Sequence, residues 1–290
     1  AILEREVRAN LVYRHFTRIG GDKVPDAKTM GRWGVAVGPE VIEALHRRLI
    51  AIAQQQHVVE GRTMRVDTTV VETNIHYPTD SSLLGDGVRV LTRTMKRVAA
   101  IVGQVGATLC DRRRSVTRRL WEIGRIARSK GAQRQEKLTG AYQHLLSATG
   151  RVVGQAKRFS REIGAGVKRT VNVMKQAALE GLRQELDTFV PRVQQVMRQT
   201  RARVFGGDTH VEDKLLSLFE PSTEVIRRGK AGKPNEFGKM VKLQEAEHQI
   251  ITDYVVYEKR PSDSDLLISA LEAHEQALGR VPRLVAADAG

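Results

Sequence analysis

A single cysteine among 290 residues leaves no partner for a disulfide within the chain and no set of thiolates for a zinc site. Aromatic residues make up only 4%, too few for the interfacial belt of a membrane-surface protein. No apolar run approaches the roughly 18 residues that a bilayer-spanning helix needs, and the first residues lack the charged segment and apolar core of a secretory leader. The expectation is a soluble chain in a reducing, cytoplasmic setting, with no membrane partner. Proline is absent between Pro78 and Pro191, a stretch that can therefore run as long helices. Acidic side chains are outnumbered, 33 to 48. The shortfall lies in one place: Gly85 to Phe205 holds 26 Lys or Arg against 8 Asp or Glu, leaving the rest of the chain at −3. A segment so one-sided points to a polyanionic partner.

Hydrophobic residues reach 41%, enough for one large domain or two smaller ones. Residues 1–60 read as a helical region. Leu3, Val7, Leu11, Val12 and Phe16 fall on one stripe, and Val41, Ile42, Leu45, Leu49 and Ile52 on another behind Pro39. The segment "TMRVDTTVVETNI" is dense in β-branched residues and reads as a buried strand, ended by Pro78 with Asp80 or Ser81 as the following cap. Two apolar stripes then recur at helical spacing: Val116, Leu120, Ile123 and Ala127, and Val152, Ala156, Phe159, Ile163 and Val167. They predict two long helices running out and back, turning between Ser129 and Gly150, with a kink or restart at Pro191. Beyond "RVFGGDTH" the period falls to two. "NEFGKMVKLQEA" and "HQIITDYVVYEK" read as a hairpin turning near Glu247 and His248. Ser262 or Asp263 caps a helix stopped by Gly279, and "RVPRLVAADAG" reads as a further strand, apolar throughout and so central in a sheet. With no initiator Met, and an end inside a strand and its loop, the chain reads as a fragment.

Asp67 stands inside the first strand, where an ionised carboxylate loses hydration unless a cation or a set of donors replaces the water. Asp288 ends the last strand. Removing the helical excursion leaves the order β-β-β-α-β, the opening of a ribonuclease H-like fold, in which the first and fourth strands are neighbours. Two carboxylates brought together there repel each other, and divalent ions held between them relieve the repulsion. The competing reading is a structural carboxylate at each position. Glu72, Asp80 and Asp86 read as solvated or capping residues. The eight histidines are scattered without helical pairing, "GKAGKP" lacks P-loop spacing, and no G-x-S-x-G occurs, so histidine metal sites, nucleotide hydrolysis and serine chemistry have no support.

The segments "MRVDTTVVETNIHYPTDSSLL", "GKPNEFGKMVKLQEA", "PSDSDLL" and "RLVAADAG" resemble the catalytic core of bacterial insertion-sequence transposases of the DDE class. "EREVRANLVYRHF" with "VPDAKTMGRW" is similar to their N-terminal helical region. The likeness covers nearly the whole chain. It implies an α+β protein: a ribonuclease H-like mixed sheet, with its first part at 61–82 and a truncated second part at 209–290. A long basic helical hairpin would interrupt it at 83–208, and a small N-terminal helical region would precede it at 1–60. It implies metal-dependent phosphodiester cleavage and strand transfer at insertion-sequence ends, with Asp67 and Asp288 as catalytic ligands of Mg²⁺ or Mn²⁺ and a third acidic residue beyond the sequence. A fragment with two of three ligands is expected to bind DNA and cut nothing. Arg112, Arg113, Arg114, Arg118, Arg119, Lys157, Arg158, Lys168 and Arg169 are the expected DNA contacts, made to the phosphates of double-stranded DNA. A homodimer is left open. The alternative is a non-catalytic nucleic-acid-binding protein that uses the basic hairpin.

Overall fold

The computed structural model describes residues 2–102, 109–166, 172–227, 234–259, 261 and 265–287. The chain is α+β with a mixed, open sheet, and it divides into two compact units. The first comprises 1–69, 241–256 and 261–290, the second 70–240 and 257–260. Two strands, β1 (Thr63–Glu72) and β3 (Glu236–Glu245), contribute residues to both.

In the first unit four helices precede β1: α1 (Ile2–Ala9), α2 (Leu11–Phe16), α3 (Ala27–Val37) and α4 (Pro39–Gln55). The single stripe expected across the first two is broken at Asn10, whose Oδ1 accepts the Val12 and Tyr13 N–H groups and so starts a new helix. Only Val7 of that stripe is buried. The helix α4 is entered through Gly38, at φ +80°, with Pro39 in its first turn. The strands β1 and β5 (Leu284–Ala287) run parallel, pairing Thr63 with Leu284 and Val66 with Ala287. The second half of β3 pairs antiparallel with β4 (Ile251–Val256) through a bulge at Gln244/Glu245. A short 3₁₀ turn, Glu247–Gln249, joins them, with His248 and Gln249 at positive φ. Met64 and Val66 of β1 pack on Ala270, Leu267 and Leu271 of α9 (Leu266–Leu278), which ends in left-handed Gly279 as its sequence implies. Leu278 joins Ile50, Val59 and Ala246 in a second small cluster.

The strand β5 departs from expectation. It ends the sheet path β2-β3-β1-β5 and all four of its residues are exposed. An all-apolar strand is read as central because both faces need cover; among the described residues, it is paired along one edge only.

The second unit is dominated by four helices, where two were expected: α5 (Asp80–Val102), α6 (Arg113–Arg128), α7 (Arg134–Gly166) and α8 (Val173–Gly206). They share one core, with Leu84, Leu91, Met95, Leu145, Val152, Ala156, Leu186, Val193 and Val196 essentially inaccessible. The expected stripe Val152, Ala156, Phe159 and Ile163 is buried along α7; Val167 lies outside the described residues. Of the other stripe Val116 and Ile123 are buried, Leu120 packs against the core and Ala127 is exposed. The break between α6 and α7 falls at Ser129 to Gln133, and α8 runs through Pro191 without interruption.

Close approach of these helices depends on two glycines of α5. A Cβ on Gly85 would lie 2.6 Å from Leu120 Cδ1, and one on Gly87 would lie 2.5 Å from Val193 Cγ2. The buried Asp80 carboxylate is met by Arg203 Nε and Gln199 Nε2, while Arg203 also lies over the Tyr142 ring and reaches its hydroxyl at 3.2 Å. This closes the start of α5 onto the end of α8. In the same unit the short β2 (Glu224–Ile226) pairs with the first residues of β3. Gly238 there sits so close to β1 that a Cβ would lie 2.1 Å from the Val71 carbonyl oxygen.

Candidate functional site

Side chains alternate along β1: Met64 and Val66 are buried, Arg65 and Asp67 exposed. This corrects the reading of Asp67 as a buried strand carboxylate. Its Oδ1 accepts the N–H of Thr68 at 2.7 Å, and it faces an open recess of about 340 Å³ lined by Arg65, Val66, Asp67, Ala286 and Ala287. No desolvation therefore demands a cation. What remains is placement. The partner of Val66 is Ala287, the residue before Asp288, and Asp288 itself lies outside the described residues.

Among the described residues, Asp67 is the one carboxylate lining that recess, and they contain no cluster of three or more His, Cys, Asp or Glu able to hold a metal. A hard divalent cation takes several oxygen ligands, so the described residues supply a single one of the set expected. Arg65, beside Asp67, lies 3.9 Å from Glu245 and brings positive charge to the same recess.

The strand carrying Asp67 is held at its start by a device with no counterpart among the expectations. The Glu247 carboxylate accepts four consecutive backbone N–H groups: those of Glu60 at 3.3 Å, Gly61 at 3.1 Å, Arg62 and Thr63 at 3.1 Å. Burial pushes this carboxyl up, but the N–H groups of Glu247 itself, Arg62, Thr63 and Gly61 outweigh it and hold the group below its ordinary value. Nearby, the fully buried His274 places Nε2 3.1 Å from the Gly61 carbonyl oxygen.

The basic candidates separate into groups. Arg112 precedes the first turn of α6, makes no side-chain bond to it, and is partly buried. Arg113 is committed to Asp111, which also meets Lys96 at 2.7 Å; the bond from Arg113, opposed by burial and helped by Lys96, holds the Asp111 carboxyl far below its usual range. Arg119 is partly buried beside Leu120. Arg114 and Arg118 are exposed on α6, as are Lys157 and Arg158 on α7; Lys168 and Arg169 lie outside the described residues. Three residues of the α6 surface went unread: Trp121, 73% exposed, with Arg125 and Arg128. The spacing 114, 118, 121, 125, 128 carries the signal, since it is the complement of the buried Val116 and Ile123.

No described helix is long and apolar enough to cross a membrane. Compared with family models, curated proteins and solved structures, the chain matches none.

Proposed function

We propose that the chain is the core of a DDE-class insertion-sequence transposase with a ribonuclease H-like sheet, acting on double-stranded DNA in the cytoplasm. The observation that carries this reading is the parallel pairing of β1 with β5 in the register Val66 to Ala287, one step short of Asp67 on one strand and of Asp288 on the other. Asp67 and Asp288 would hold Mg²⁺ or Mn²⁺, which supplies an activated hydroxyl nucleophile and charge neutralisation at the phosphate. Asp67 contributes an exposed carboxylate on a rigid strand; its geometry is set by pairing with β5 and by the Glu247 cap at the entry to β1. Arg65 in the same recess suits contact with a DNA phosphate.

The test is metal-dependent cleavage of insertion-end DNA by the transposase containing this chain. Asp67→Asn and Asp288→Asn are each expected to lower cleavage by more than about 100-fold while duplex affinity changes less than about threefold, because Asn keeps the shape and loses the ligand charge. Cleavage that survives Asp67→Asn would overturn the reading.

A second reading, nucleic-acid binding without catalysis, draws on the exposed arginines of α6, whose contribution needs no carboxylate. It predicts the same DNA affinity with and without divalent ions, and no cleavage.

A further inference from the structure

The outward face of α6 is chemically uniform. Arg114, Arg118, Trp121, Arg125 and Arg128 are all exposed, and at 3.6 residues per turn they fall within a sector of about 80° over a length of about 21 Å. The opposite side is held in the helical core by Val116, Ile123 and the packed Leu120, so the face is presented on a fixed support. The single carboxylate of the helix, Glu122, is partly buried and lies outside that sector. None of the four arginines forms an ion pair with a described carboxylate; Arg128 instead bonds the Gly124 carbonyl through Nε. Trp121 is one of two tryptophans in the chain and stands midway along the stripe, 73% exposed.

Solvation alone accounts for arginines on a helix surface, but it gives no reason for an indole among them. Leaving so large an apolar ring in water is unfavourable until a partner covers it. The partner must be anionic along the helix and offer a flat π-face at its middle. Double-stranded DNA offers the first; its bases are stacked on one another, and opening a step costs a few kcal/mol. A single strand offers both, because its bases stack freely on an aromatic ring while the phosphates run past the flanking cations.

We propose that the α6 stripe binds single-stranded DNA, with Trp121 stacking on an unpaired base and Arg114, Arg118, Arg125 and Arg128 holding the backbone on either side. The assignment rests on the nucleic-acid reading above and adds the strand state of the ligand and the side chain that reads it. Transfer of DNA strands exposes such segments at the cut ends, which is where a stripe of this kind would act.

The test uses the full 290-residue chain without divalent ions, in a Trp33→Phe background so that Trp121 is the only indole. A short oligo(dT) should quench its fluorescence. Trp121→Ala should weaken oligo(dT) binding roughly 5- to 150-fold, the range measured for removing one stacking ring, while affinity for a duplex of equal length falls less than about threefold. Trp121→Phe should restore most of the loss, which a merely structural role would not predict. Arg118→Ala and Arg125→Ala should weaken single strand and duplex alike and flatten the salt dependence. Equal losses on duplex and single strand for Trp121→Ala, or no loss on either, would overturn the stripe assignment alone. So would self-association through Trp121 in place of DNA binding, or tighter binding of the matching RNA. A parent chain that binds neither single strand nor duplex would instead remove the nucleic-acid reading itself.

Discussion

In α7, Val152, Ala156, Phe159 and Ile163 recur at helical spacing and all four are buried. In α4, Val41, Ile42, Leu45, Leu49 and Ile52 recur at the same spacing and all five are exposed, Leu45 at 61%. An apolar stripe states that a helix face gains by being covered; which face is covered is decided by the elements packed against it. The helical unit supplies that cover itself, through the shared core of α5 to α8. The sheet-bearing unit has two small clusters, and α4 turns Ile50 and Ala53, not its main stripe, toward them. Stability is therefore concentrated in the helical unit, and the residues read as chemical lie on the more thinly packed one.

Substitutions sharpen this contrast, the largest effects first. Leu186→Ala empties a fully buried site of the helical core and should cost about 2 to 5 kcal/mol in urea denaturation. Gly87→Ala in the same unit forces Val193 aside and should cost about 1 to 3 kcal/mol. In the sheet-bearing unit, Glu247→Ala frees four backbone N–H groups at the start of β1 and should cost about 1 to 2 kcal/mol near neutral pH. Because the folded Glu247 carboxyl titrates below its ordinary value of 4.5, its contribution is complete above that pH and is lost on acidification through the lower folded value. The difference between parent and variant should shrink as denaturation is repeated from pH 5 downward. Leu45→Ala, on the exposed stripe of α4, should move stability by less than about 0.5 kcal/mol. A loss as large as that of Leu186→Ala would show that α4 is covered and the contrast false.

The parts legible in the sequence are those whose signal is local. The strands β1, β3 and β4, the helix α9 with its Gly279 stop, and the apolar period of α7 all follow from spacing and turn residues. Reading four helices as two came from weak punctuation: no proline stands between Val102 and Arg113 or between Gly166 and Val173, where α5 gives way to α6 and α7 to α8, whereas the break at "SKGAQ" lies within the turn expected between Ser129 and Gly150. The three residues of β2 are too few to show a period. The exposure of Asp67 was available in the alternation Met64, Arg65, Val66, Asp67, but the density of Val and Thr outweighed it. Glu247 was placed in the turn, while its role was not readable, since its partners lie some 185 positions earlier. The exposed α6 stripe was half read, by charge and not by period, which left out Trp121.

Whether Asp67 and the end of β5 share a divalent ion, as proposed, is decided by adding Mn²⁺ to the isotopically labelled chain and following paramagnetic broadening of its amide signals. Asp67 and Thr68 on β1 should broaden together with Ala286 and Ala287 on β5, and Asp67→Asn should abolish both effects. Broadening centred on other carboxylates, or unchanged by Asp67→Asn, would contradict it.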